Sequence, residues 1–242
     1  MSKIKKINYG IDAPKIIRNL LIIGCLIFLC SLLIPDNLVQ PISVFINRSL
    51  LTFGIALIII GLLMLTYAKF GKFRHRERII NLINWKGDEQ VLDIGTGLGL
   101  LMIGAAKKLT TGKSFGIDIF NTFDLSSNTI EQTRINAELE NVLQKINILE
   151  ENILKTNFKD DYFDVIISNL CLHNINKIEE RKQACSEIYR ILKPKGKAII
   201  SDFKKTGEYK TTFEKLGMAV EKAGTYFFDT FPPLTIIIAT KD

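Results

Sequence analysis

The sequence predicts an α/β domain on a mostly parallel sheet with helices on both faces, preceded by a transmembrane helical hairpin. Three observations carry this. Two apolar runs of membrane length occupy the first seventy residues. From residue 90 onward, short apolar runs alternate with helical stretches. A turn with three alternate glycines, "VLDIGTGLGL" (91–100), closes the first of those short runs. The expected organisation is a membrane anchor over residues 1–70, a juxtamembrane amphipathic helix over 71–89 and the α/β domain over 90–242.

The second apolar run, "LLTFGIALIIIGLLMLTYA" (50–68), holds no charge. At helical rise its nineteen residues span about 28 Å, close to the hydrocarbon thickness of a bilayer. The first run, "IIRNLLIIGCLIFLCSLLI" (16–34), has the same length and carries Arg18 and Asn19 near one end, where an arginine can snorkel to the headgroups. Lys3, Lys5, Lys6, Lys15 and Arg18 flank the first run, and Lys69, Lys72, Arg74, Arg76 and Arg78 follow the second. Both basic flanks on one side predict an integral membrane hairpin with the N-terminus and the α/β domain in the cytoplasm. A signal peptide explains only one run, and buried core helices need neither the length nor the flanks. Gly54 and Gly61, seven residues apart, share a face on which the two helices can approach. Membrane lipids are the partners these helices imply.

The net charge of +7 is not a nucleic-acid signal once it is located. Residues 1–72 hold eight Lys and Arg against two Asp, and the rest of the chain holds 24 against 23. A nearly neutral domain lacks the basic face that nucleic acid requires. The four cysteines form no C-x-x-C pair and no metal-ligand spacing, so no metal is expected and the α/β domain reads as reduced and intracellular.

"GKFRHRERIINLINW" (71–85) mixes Phe73, Ile79, Ile80, Ile83 and Trp85 with basic residues, an amphipathic helix at a membrane surface in which His75 is expected to be exposed. Strands follow at "QVLDIG" (90–95), "KSFGIDIF" (113–120), "KINILEEN" (145–152), "YFDVIISNL" (162–170), "GKAIISDF" (196–203), "TYFFD" (225–229) and "PLTIIIAT" (233–240). Helices are expected at 100–109, at 127–140 with Asn128 and Glu131 as a capping pair, at 177–192 ended by "KPKG", and at 208–223. Ligands in such sheets bind beyond the carboxyl ends of the strands at the topological switch point, where the glycine turn lies.

The turn misses the dinucleotide pattern Gly-x-Gly-x-x-Gly by one residue: counted from Gly95, the third place is Leu100. Asp93, two residues before Gly95, would set a carboxylate near an anionic ligand. A ligand without phosphate and with a cationic amino-acid end fits better, and S-adenosylmethionine is such a ligand. Alternating glycines let the backbone pass close to its body. Asp118, at the end of the second strand, can accept hydrogen bonds from both ribose hydroxyls, a role that NAD sites share.

In this combination the chain resembles the class I S-adenosylmethionine-dependent methyltransferases over about residues 75–242. "VLDIGTGLG" is similar to the family's first motif and "GIDIF" to its acidic ribose motif. "FKDDYFDVIISNLCLHNI" (158–175) and "EIYRILKPKGKAIISDF" (187–203) resemble the small-molecule branch that includes quinone-biosynthesis C-methyltransferases. The resemblance implies a Rossmann-like sheet of seven strands whose last strand runs antiparallel. It implies a cofactor site made by Asp93, Gly95, Thr96, Gly97, Gly99, Asp118, Ile119, Asn152, Ile153 and Asn169. The family's usual Gly-Asp after the third strand is Glu151-Asn152 here, and an asparagine can still accept and donate to adenine. The polar loop "NTFDLSSN" (121–128), longer than usual, covers the cofactor or caps the next helix through Asp124 and its serines.

Methyl transfer from a sulfonium asks for alignment and exclusion of water, and for a base only where the acceptor must lose a proton. His173, after the fourth strand, is the candidate base or acceptor-pocket residue, against a packing role. Ser168 and Asn169 would form the wall between cofactor and acceptor. Asn169 does not begin the N-P-P-Y/F motif of amino-methylating nucleic-acid enzymes, which disfavours that substrate class. The expectation is a membrane-anchored methyltransferase acting on a small, lipophilic acceptor at the cytoplasmic face. A non-catalytic cofactor-binding scaffold and an NAD-linked oxidoreductase are the alternatives.

Overall fold

The computed structural model of the protein describes residues 5–34, 41–121 and 125–242. Lys3 and Asp124, both named above, lie outside the described residues. Helices α1 (Pro14–Leu32) and α2 (Ile42–Thr66) pack side by side and are long and apolar enough to cross a membrane. Their buried positions are mostly small: Gly24 and Ser31 on α1, Ser43, Gly54 and Gly61 on α2. A Cβ on Gly54 would stand 2.8 Å from the Phe28 nitrogen, and one on Gly24 would stand 3.0 Å from the Gly54 carbonyl. Backbones this close need glycine, so the shared face of Gly54 and Gly61 is the helix contact. Large apolar side chains such as Leu26, Leu29, Phe53 and Ile59 point outward.

The α2 helix continues through a π turn (Tyr67–Gly71) into α3 (Lys72–Ile80) without a break. The domain then runs β1 (Gln90–Ile94), α4 (Leu100–Ala106), β2 (Lys113–Asp118), α5 (Ile130–Leu139), β3 (Ile146–Glu150), β4 (Phe163–Asn169), α6 (Ile178–Ile191), β5 (Leu192–Asp202), α7 (Thr206–Lys215), β6 (Ala219–Tyr226) and β7 (Leu234–Thr240). The seven strands form one sheet in the order β3-β2-β1-β4-β5-β7-β6. The first five are parallel, and β7 lies antiparallel between β5 and β6. The chain leaves β1 toward β2 on one side and returns at β4 on the other, so the switch point lies between β1 and β4.

Alternation along the strands divides the core. Val91, Val165, Ile167, Ile199 and Ile236 face Ile79 and Ile80 of α3 and Leu101 and Ala105 of α4. Leu92, Ile94, Ile117, Ile166 and Ile200 face Ala184 and Ile188 of α6 and Tyr209 and Phe213 of α7. The α3 helix is therefore a covering helix of the sheet. Ile79 and Ile80 are fully buried, each stabilising the fold by roughly 1.5–3 kcal/mol.

Four local expectations are corrected. His75 is 1% exposed. Its Nε2 lies 2.6 Å from Ser201 Oγ, and Arg78 Nη1 lies 2.9 Å from its Nδ1. A guanidinium only donates, so Nδ1 accepts and the ring donates from Nε2 to the serine. The cap of α5 is Thr129, whose side chain accepts from Gln132 N, while Asn128 turns toward Asp118 and the Asn121 carbonyl. The helix expected at 208–223 stops at Lys215, where Gly217 adopts φ +87°, and 219–226 pairs with β7 as a strand. The basic N-terminal flank is also more than a flank: residues 5–12 lie on the domain as a strap. Asn8 exchanges two hydrogen bonds with the buried Asn136, Tyr9 packs edge-on to Phe73 and donates to Glu140, and Ile11 pairs with Ser126.

Burial first, and then Arg78, lower the His75 pKa to about 4 from an ordinary 6.5. The unfolded chain therefore binds the proton more tightly, and stability is complete above pH 6.5 and lost as pH falls toward 4. Denaturant melts of the full chain should show a slope of about 1.4 kcal/mol per pH unit in that window that a His75→Gln chain lacks. The difference between the two chains isolates this group from every other titration.

Candidate functional site

A cavity of about 520 Å³ opens at the switch point. Its walls come from the glycine turn after β1, the ends of β2 and β4, the segment after β3, the loop before α5 and Asp12 of the N-terminal strap. The turn is shaped by Gly95, Gly97 and Gly99, all left-handed, at φ +71°, +53° and +84°. A Cβ at Gly95 would overlap the Cys171 side chain, and one at Gly97 would stand 2.7 Å from Leu125 Cδ2. Both contacts line the cavity, so the backbone forms its floor only because side chains are absent there.

The N–H groups of Gly95, Thr96, Gly97 and Gly99 are engaged within the protein. Gly95 and Thr96 N–H both donate to the Ile117 carbonyl, Gly99 N–H to Thr96, and Gly97 N–H to Asp118 Oδ2 at 2.8 Å. At the start of α4, Met102 N–H donates to Asp93 Oδ2, which also accepts from Thr96 Oγ1, both at 2.9 Å. In a dinucleotide site these groups would face a pyrophosphate. Here an internal carboxylate takes that place.

The expected site residues divide accordingly. Gly95, Gly97, Asp118, Ile119, Asn152, Ile153 and Asn169 line the cavity. Asp93, Thr96 and Gly99 stand behind the turn; Asp93 and Thr96 are buried, and Gly99 is the residue before α4. Burial pushes the Asp93 carboxyl up to about 7, against the pull of its two hydrogen bonds. Asp118 accepts from Gly97 N–H through one oxygen and from Phe120 N–H at 2.6 Å through the other. Asn152 Oδ1 accepts from Leu154 N–H, closing the turn after β3.

His173 is not a wall residue, although Cys171 and Asn174 on either side are. Its ring lies edge-on to Phe203 at 4.7 Å, with Nδ1 2.8 Å from Asp202 Oδ1 but not aligned for a hydrogen bond. Burial raises the pKa of the Cys171 thiol, and the carboxylates of Asp118, Asp202 and Asp93 add to it, so this cysteine stays protonated.

Wall residues outside the sequence motifs include Asp12, Leu125, Glu151 and Glu180. Asp12, Asp118, Glu151 and Glu180 set four carboxylates around the cavity against one ammonium, Lys177. Three buried acceptors of wall residues have no partner among the described residues: Asn128 Oδ1, Glu151 Oε2 and Asn169 Oδ1. A cationic ligand rich in N–H and O–H donors suits this lining, and S-adenosylmethionine, with an ammonium, a sulfonium, an adenine amino group and two ribose hydroxyls, meets it. The only possible signal for Glu151 was its place beside Asn152, and Asp12 carried none.

Residues 92–200 match the family model described as a methyltransferase domain. Among curated proteins, the chain is 32% identical over 125 residues to a 2-phytyl-1,4-naphtoquinone methyltransferase of Nostoc sp., covering 50% of this chain and 51% of that one. It is 27% identical over 115 residues to a ubiquinone/menaquinone biosynthesis C-methyltransferase of Ruegeria sp., covering 48% and 42%. The chain thus spans about half the length of these relatives. Among solved structures, a SAM dependent methyltransferase from Aquifex aeolicus has the same fold, with TM-score 0.53, 20% identity and coverage of 69% of this chain and 89% of that one.

If Asp118 binds the ribose, as the resemblance implies, replacing it by alanine removes the acceptor for both hydroxyls. Calorimetry on the Asp118→Ala chain should show S-adenosylhomocysteine affinity lower by about 1.5–3 kcal/mol, the value of hydrogen bonds to a charged group. Unchanged affinity would remove Asp118 from the site.

Proposed function

For a chain whose residues 92–200 match a methyltransferase domain and whose fold is that of a SAM dependent methyltransferase, we propose the following activity. The protein is a membrane-anchored enzyme that transfers a methyl group to a small, lipophilic acceptor at the cytoplasmic face. The observation that carries the cofactor assignment is the glycine turn: the N–H groups of Gly95, Thr96, Gly97 and Gly99 are engaged internally and its cavity is lined by carboxylates. That lining favours a cation and repels a pyrophosphate.

When bound, S-adenosylmethionine supplies a methyl group on a positively charged sulfur. Asp118 would hold the ribose, the Glu151-Asn152 pair and Ile153 would hold the adenine, and the Gly95–Gly97 backbone would support the amino-acid end. Asn169 would stand between cofactor and acceptor. Leu170 and Cys171 give the cavity an apolar stretch that excludes water from the reacting atoms. His173, beside this wall and against Asp202, is the proposed proton acceptor where the methyl acceptor carries a proton to lose.

What supports the anchor is the pairing of two facts. Both long apolar helices carry basic residues at their domain-side ends, Lys15 and Arg18 on α1 and Lys69 just after α2. The strap before α1 and the domain after α2 are also hydrogen-bonded to each other, which requires them to share one side of a bilayer. The quinone methyltransferase names of the curated relatives support a lipophilic acceptor.

The test is calorimetry on the full chain in detergent, since the strap would be lost from a fragment beginning at α3. Binding of S-adenosylmethionine and S-adenosylhomocysteine without NADH is the expected result. NADH binding alone would overturn the cofactor assignment. Once an acceptor turns over, a His173→Gln chain should lose about 10²-fold or more in kcat with KM little changed if the histidine takes the proton. Retained kcat would assign it to packing.

A further inference from the structure

A second cavity, of about 470 Å³, lies where α2 ends, between the helix and the β6–β7 loop. We infer that it takes the apolar tail of the acceptor, entering from the membrane, with Tyr67 as the partition between tail and cofactor cavities. This rests on the proposed lipophilic acceptor and gives it a location.

The cavity is built rather than incidental. Leu63, Thr66 and Phe70 form its helix side, and Phe227, Phe231 and Pro233 form its loop side. A Cβ at Gly71 would overlap the Asp229 carbonyl, so only glycine lets the loop sit against the helix here. Arg78 fixes the loop from below: its Nη2 meets Asp229 Oδ2 at 2.5 Å and its guanidinium stacks 3.9 Å over Tyr226. Thr230 ties the loop to itself, donating to the Tyr226 carbonyl and accepting from Leu234 N–H.

Its surroundings match a bilayer surface. Phe70, Phe227 and Phe228 are exposed around it, and Lys69 and Arg74 stand on the same turns of helix. Exposed aromatics in contact with the end of a membrane-length helix, beside basic residues, are the composition of an interfacial belt. The volume is within the range of small-molecule sites, and most of the lining is apolar.

The link to the chemistry is Tyr67. It lines this cavity, and its hydroxyl lies 3.4 Å from Asn169 Nδ2, a side chain of the cofactor cavity. The π turn begins at this residue; π bulges recur at functional sites because the inserted residue re-aims its neighbours. A chain seated among Leu63, Phe227 and Phe231 would end against Tyr67 and Asn169, where a methyl acceptor is required.

The experiment uses the full chain in phospholipid nanodiscs and, as probe, a benzoquinone with a C15 isoprenoid chain ending in a diazirine. After photolysis, adducts should concentrate in residues 63–70 and 227–233 and disappear with excess unlabelled isoprenoid quinone. Thr66→Trp and Leu63→Trp, both at exposed positions, plug the mouth and should lower those adducts by about tenfold. Adducts spread along the outward faces of α1 and α2, or unchanged by both tryptophans, would mean partition into bulk lipid and overturn the inference. S-adenosylhomocysteine binding in the same samples should be unchanged by the two substitutions and reports separately on the methyltransferase reading, since labelling does not need the cofactor.

Discussion

A buried ammonium ties the two ends of the hairpin to the domain, and the rest of the architecture follows from it. Lys72 is 4% exposed, and its Nζ donates to the carbonyls of Tyr9 and Gly10 at 2.6 and 2.7 Å and lies 3.4 Å from Asp12 Oδ2. Burial lowers its pKa, and Asp12 works against that shift. A buried charge persists only when its donors are occupied, and here the occupants belong to the strap that leads into α1. Lys72 itself opens α3, just past α2. One side chain therefore closes a loop over both apolar helices. It also holds Asp12 at the lip of the cofactor cavity, where Asp12 bridges to Leu125.

The rotational setting of α2 is the second consequence. In the proposed lipid environment the helices gain nothing from hiding apolar surface, so close backbone contact must hold them together. Gly24 against Gly54 and Gly61 against Leu21 provide it. Because α2 runs unbroken through the π turn, the face that meets α1 also fixes the direction of Tyr67 and Gly71. Packing of small residues within the hairpin is thus continuous with the Tyr67–Asn169 contact at the cavity wall.

What was legible in the sequence is what local pattern determines. β-branched runs ending in glycine or asparagine gave the central strands, because a strand buried on both faces is continuously apolar. Segments whose state depends on a distant partner were not legible. "AVEKAGTY" (219–226) has the composition of a helix, and pairing with β7 makes it a strand. His75 sits in a run of charges whose inner face is visible only once α3 lies on the sheet. The strap has no periodicity of its own, and its partners Lys72, Ser126 and Asn136 are 62 to 128 residues away. For the site, spacing located both acidic residues of the turn. Strand alternation separates them: Asp93 lies on the α4 side with Val91, and Asp118 ends its strand at the cavity.

That separation assigns the two carboxylates different tasks. Asp93, at the end of β1, accepts from Met102 N–H in the first turn of α4, the helix end that receives a phosphate in dinucleotide sites. Its own carboxyl, pushed up to about 7 by burial, sits close to the balance between charged and neutral forms at physiological pH. Asp118, Asp12, Glu151 and Glu180 stay at the walls, where a sulfonium and an ammonium are attracted and a pyrophosphate would meet only like charge. The uncharged, lipophilic acceptor of the proposed function asks nothing of that field. It needs an apolar route to the methyl group that does not cross the carboxylate-lined mouth. In the proposed function the second cavity, whose Tyr67 hydroxyl lies 3.4 Å from Asn169 Nδ2, would keep the two ligands on routes of opposite polarity until they meet at Asn169.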